Sequence, residues 1–118
     1  MLTSLTVDQI DTVTVYYQFS ERSAYLSQTD VEQLIPLLQN ISLRGRSVRL
    51  TVAEKNPYYS VRLKNGKIFT VMWFDGYYIV DGRGYLVNEG QQSNYEAIDS
   101  LYQTHLDNRE YFPRNDRG

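Results

Sequence analysis

The chain contains no cysteine, which excludes disulfides and thiolate metal sites while leaving the redox compartment open. It has one histidine, His105. A zinc site built on it would need carboxylates alone to complete the ligand set, an uncommon arrangement; the plainer reading is a helix-end imidazole facing the C-terminal dipole. No apolar run approaches the roughly 20 residues a membrane span needs. The opening MLTSLTVDQIDT has neither a basic start nor an apolar block, so the sequence as it stands shows no signal peptide. No serine or threonine has a histidine and an acid at the spacing of a nucleophilic triad. Asp75 and Asp81 fall in turns, where aspartate is a turn former. Gly82 and Gly84 sit between strands with no helix start after them, unlike a dinucleotide-binding loop. The expectation is therefore a protein that is not an enzyme and takes no cofactor or metal.

At 118 residues the length fits one domain with one ordinary core. The 42% apolar content is that of a globular chain. Charge is unevenly placed. Residues 41–67 hold seven bases (Arg44, Arg46, Arg49, Lys55, Arg62, Lys64, Lys67) against Glu54, between two acidic stretches. Two readings apply: an anion-binding face, or strand edges and turns that carry basic residues for solubility. Eleven tyrosines suit half-buried sheets and binding surfaces alike.

Residues 12–19, TVTVYYQF, alternate as a strand with Val13, Val15, Tyr17 and Phe19 on one face. Ser20–Ser27 reads as a turn. Thr29 and Glu32 fit a capping box, and Val31, Leu34, Ile35, Leu38 and Ile41 form one helical stripe. Pro36 predicts a kink or a late start. Residues 47–53 read as a strand with Val48, Leu50 and Val52 on one side. Asn56-Pro57 marks a turn. A meander follows over 59–87, cut by Asn65-Gly66, Asp75-Gly76 and Asp81-Gly82-Arg83-Gly84. Ser93 and Glu96 repeat the capping-box spacing before a second helix with Ile98, Leu101 and Tyr102 as its stripe. The tail 107–118 reads as loose except where Tyr111-Phe112 docks. Strands grouped between helices predict an α+β fold, an antiparallel meander of about five strands with both helices on one face.

A two-residue Asn-Gly turn sets Arg62 opposite Phe69, and a two-residue Asp-Gly turn sets Trp73 opposite Tyr78. A four-residue turn sets Val80 opposite Tyr85. Alternation then puts Tyr59, Val61, Leu63, Ile68, Met72, Phe74, Tyr77, Ile79 and Leu86 on the core face. The opposite face receives Arg49, Arg62, Phe69, Trp73, Tyr78 and Tyr85, an aromatic strip with basic residues beside it. If the helices leave that face open, these six are the candidate binding residues for a protein or peptide partner or a second copy. The other reading covers the strip with the first strand, the tail or a coiled sheet. Aromatics beside arginines also resemble a stacking platform for nucleic acid or another polyanion, against which the overall acidity argues. A third reading is an inhibitor domain acting on a host or phage enzyme through the same hairpins.

The hairpin at Asn65-Gly66-Lys67, the run Tyr77-Tyr78-Ile79-Val80-Asp81-Gly82, Tyr85 and the Leu101-Tyr102 pair together resemble a group of small domains of unknown function from Gram-positive bacteria. The likeness spans roughly residues 12–106. Such domains are carried on secreted lipoproteins or at the extracytoplasmic ends of membrane sensor proteins. The resemblance implies a surface-tethered, extracytoplasmic location with a lipid anchor on a trimmed segment. This chain has no lipobox cysteine; read without the resemblance, it is cytoplasmic. The family implies no catalytic residue.

Overall fold

The computed structural model describes residues 5–17, 22–41, 48–49, 58–74 and 76–113. They form an α+β fold: one antiparallel sheet with two helices on one of its faces. The strands are β1 (Ile10–Tyr16), β2 (Ser23–Tyr25), β3 (Val48–Arg49), β4 (Tyr58–Leu63), β5 (Ile68–Phe74), β6 (Tyr77–Val80) and β7 (Arg83–Leu86). The helices are α1 (Gln28–Gln39) and α2 (Gln92–Asp107). The spatial order is β2-β1-β4-β5-β6-β7-β3, seven strands where about five were expected. One extra strand is β2, which folds the expected 20–27 turn back on β1 through Val15↔Ala24. The outer half of the 47–53 strand, with Leu50, Thr51 and Val52, lies outside the described residues, as do Phe19 and Asp75.

The helices form where their apolar stripes demand. Val31, Leu34, Ile35 and Leu38 are buried in α1; Ile98, Tyr102 and His105 are buried in α2. The start of α1 differs from the expected Thr29 box. Ser27 is the N-cap, its Oγ accepting from the Asp30 amide at 3.3 Å. Pro36 lies within α1 and is solvent-exposed, with only three helical residues after it. The second helix begins at Gln92, after a 3-10 turn over Glu89–Gln91, rather than on Ser93.

The decisive departure is in the β4–β5 turn. The loop is Lys64-Asn65-Gly66, three residues instead of two. Leu63 and Lys67 close it, the Leu63 amide donating to the Lys67 carbonyl at 2.8 Å and the Gly66 amide to the Leu63 carbonyl at 2.9 Å. Gly66 sits at φ +90°, a conformation glycine adopts without steric cost. The extra residue shifts the register by one, giving Val61↔Phe69 and Tyr59↔Val71. A one-residue shift turns every side chain of the following strand over. Phe69, Val71 and Trp73 therefore share a face with Tyr59 and Val61. The next turn keeps its predicted pairing, Trp73↔Tyr78. The last is a two-residue turn with Asp81 at φ +50° and Gly82 at φ +82°, pairing Val80↔Arg83 and Tyr78↔Tyr85. That moves the register by two and leaves the faces unchanged.

The core consequently joins Val13 and Val15 of β1, Tyr59 and Val61 of β4, Phe69, Val71 and Trp73 of β5, and Tyr78 and Val80 of β6 to the stripes of both helices. Polar tips on this face meet α2 one after another. Tyr78 Oη receives the Asn94 amide at 3.0 Å, Trp73 Nε1 donates to Asp99 Oδ1 at 3.0 Å, and Tyr59 meets His105. Tyr102 donates to the Tyr16 carbonyl. The second helix thus reaches β6 and β5 from its first half and β1 and β4 from its second. Past α2 the chain docks at Tyr111-Phe112: Phe112 is buried, its ring against Tyr17 at 5.5 Å, with Arg22 stacked over it and bonded to the Pro113 carbonyl at 3.0 Å. Residues 114–118 of the tail lie outside the described residues.

Candidate functional site

The register places the six expected binding residues as follows. Phe69, Trp73 and Tyr78 are 5%, 3% and 1% exposed. All three are core residues, Trp73 and Tyr78 under α2, so the expected open aromatic strip is the covered face, and the helices cover it. Tyr85 is half-buried against the same core. Arg62 projects from the other face, exposed and paired with Asp11 at 3.7 Å; it does not flank the aromatics. Arg49 is described only through its backbone pairing with Arg83 in β3. The stacking platform that the nucleic-acid reading requires is not assembled from these residues.

The face turned away from the helices carries what the sequence reading had put inside. Phe74, Tyr77 and Leu86 lie side by side across β5, β6 and β7, through the pairs Phe74↔Tyr77 and Tyr77↔Leu86. Phe74 is 53% exposed and Leu86 68%. In the next row Tyr16 and Tyr58 stack at 4.2 Å, with Met72 half-buried and Ile79 buried. At the opposite end Ile68 is 58% exposed. Single exposed apolar side chains are ordinary; a row of them across adjacent strands is not. Phe74 and Leu86 were missed because both alternation sets of β5–β7 are apolar, so the pattern alone could not choose between them. One signal was present: burying the only tryptophan, which is highly buried on average, selects the observed face.

The second cluster lies inside. Tyr59 Oη and His105 Nδ1 are 2.7 Å apart. Burial, reinforced by the neighbouring Tyr102, Asp30 and Asp99, pushes the Tyr59 hydroxyl well above the ordinary phenol range. It therefore keeps its proton, and the direction of its bond to Nδ1 follows the imidazole tautomer; the other ring nitrogen is Nε2. That nitrogen faces Asp30 Oδ1 at 4.0 Å and has no hydrogen-bond partner. Burial lowers the His105 pKa, against the pull of the Asp30 carboxylate. Asp30 is held elsewhere: Tyr111 donates to its Oδ2 and accepts from the Ser27 amide at 2.8 Å. His105 does lie in the last turn of α2, as expected, but it is buried in the core. The carboxylate–imidazole–phenol order is that of a proton relay, yet Tyr59 and His105 are 0% and 2% exposed, so no substrate reaches either. Among the described residues no cluster of His, Asp or Glu has metal-site geometry, and no helix is long and apolar enough to cross a membrane.

Compared with protein-family models, curated proteins and solved structures, the chain matches none. The likeness to Gram-positive surface domains thus rests on turn glycines and sheet aromatics alone.

Proposed function

We propose that this protein is a non-enzymatic interaction module that binds a protein or peptide through the outward face of its sheet, centred on Phe74, Tyr77 and Leu86. One observation carries the reading. These side chains form a row on a face the helices do not use, and the core is complete without them. Large aromatic and aliphatic side chains are the usual anchors of protein contacts. Charge supports a weakly charged partner over a polyanion, because Arg62 on this face is already paired with Asp11. The complete burial of the Tyr59–His105 pair supports a binding role over catalysis.

The test is selection from a random peptide library against the folded chain. Enriched peptides should bind wild type and lose at least about tenfold in affinity for a Phe74→Asp/Leu86→Asp variant, a change of about 1.4 kcal/mol or more. Equal binding to both, with far-UV circular dichroism unchanged, would remove this face from the account. Light scattering at rising concentration reads whether a second copy is the partner.

A further inference from the structure

A cleft of about 650 Å³ opens where the β4–β5 turn meets the segment before β1, within the roughly 300–1,000 Å³ of small-molecule sites. Its floor is apolar: Leu5, Leu63, Ile68 and Phe69. Its rim carries two ammonium groups, Lys64 and Lys67, and two carboxylates, Asp8 and Asp81.

Each rim charge stands on anchored backbone. The Lys64 amide donates to the Gln9 carbonyl at 2.9 Å, and the Lys67 amide to Asn65 Oδ1 at 3.0 Å. Asp8 lies in a 3-10 turn closed by the Thr6 amide on Gln9 Oε1 at 3.2 Å. Asp81 is clasped by Thr70, whose amide donates to its Oδ1 at 3.0 Å and whose carbonyl accepts from its amide at 3.1 Å. Among the described residues no ion pair joins any of these four rim charges to another.

We propose that this cleft binds a small zwitterion with an apolar body, specifically a short apolar peptide with free ends. Its carboxylate meets Lys64 and Lys67, its ammonium meets Asp8 on one flank of the lysines or Asp81 on the other, and its side chains rest on the floor. Charge complementarity selects this class. A fatty acid leaves both carboxylates facing an apolar chain, and a phosphate ester meets two like charges; buried or half-buried charges without partners oppose binding. A free-ended apolar peptide answers both signs and the floor together. The site is separate from the Phe74–Leu86 row.

Isothermal titration calorimetry with the full chain tests this. Trileucine should bind, and capping either end, as N-acetyl-trileucine or trileucine amide, should weaken binding roughly tenfold to a hundredfold, the loss expected for a charge-assisted contact. The Lys64→Ala/Lys67→Ala variant should bind trileucine no better than the amide. Phe74→Asp/Leu86→Asp should bind it as wild type does, which separates this proposal from the one above. The idea is overturned if trileucine gives no binding at millimolar concentration, or if decanoate or the doubly capped peptide binds as tightly as trileucine.

Discussion

Trp73 sits under α2 with its indole N–H on Asp99, and its ring packs edge-on to Tyr102 at 5.2 Å; Phe74, the next residue, turns its ring to solvent. The pair offers a direct check on which face is which. Trp73→Ala should destabilise the fold by about 3–5 kcal/mol, the cost of emptying a large buried site. Phe74→Ala should change stability by no more than about 0.5 kcal/mol, as exposed substitutions do. Urea unfolding of the two variants measures both, and comparable losses would mean the face assignment is wrong. The same logic explains why the single tryptophan is a poor choice as a binding anchor here: its polar edge is satisfied by Asp99, and its apolar surface is already enclosed by Tyr59 and Tyr102.

Between elements, the buried polar contacts decide how α1, α2 and the sheet are held together. His105 of α2 faces Tyr59 of β4, Asp30 of α1 and the Tyr111 ring, 6.1 Å away in the segment after α2. With its folded pKa lowered by burial, it binds fewer protons in the folded chain than in the unfolded one at mildly acidic pH. Stability from this group is full above the ordinary histidine value near 6.5 and falls as pH drops below it, by up to about 1.4 kcal/mol per pH unit until the folded group also protonates. Thermal or urea unfolding between pH 7.5 and 5 should show this slope in wild type, and His105→Gln, which does not titrate, should flatten it. An unchanged slope in the variant would assign the acid sensitivity to carboxylates instead. Protonation places a cation beside Asp30, whose carboxylate offsets part of the burial cost.

For the whole molecule, the helices and the sheet leave two different surfaces. One is the outward face with its apolar row; the other is the charged-rim cleft at the β4–β5 end. Although residues 41–67 are rich in bases, the described ones do not gather into a basic face: Arg62 pairs with Asp11, and Lys64 and Lys67 share a rim with Asp8 and Asp81. Peptides selected on the outward face should therefore bind with little salt dependence, changing less than about threefold in affinity between about 50 and 200 mM salt. A polyanion binder with several phosphate contacts loses roughly a thousandfold or more over that range. A steep salt slope, measured by fluorescence anisotropy, would restore the polyanion reading.

Much of the fold was legible. The stripes of α1 and α2, the first strand and the meander strands, the two-residue turn that sets Trp73 opposite Tyr78 and the α+β grouping all follow from local periodicity and turn chemistry, which act over a few residues. The helix starts were less legible, since Ser27, Thr29 and Ser93 all satisfy a cap on paper and packing chose among the alternatives. What one strand's sequence could not settle was its orientation, because Phe69, Val71 and Trp73 are as apolar as Ile68, Met72 and Phe74. That choice rested on one residue of loop length at Lys64-Asn65-Gly66, where a glycine at positive φ serves a two-residue or a three-residue turn equally well. The sequence by itself determined the elements, the meander and the supply of aromatic side chains, because those depend on short-range sterics and hydrophobic spacing. Only the tertiary structure decided which aromatics became core and which became surface, because that is set by where α2 finds polar partners for Asn94, Asp99 and His105 while covering the larger rings.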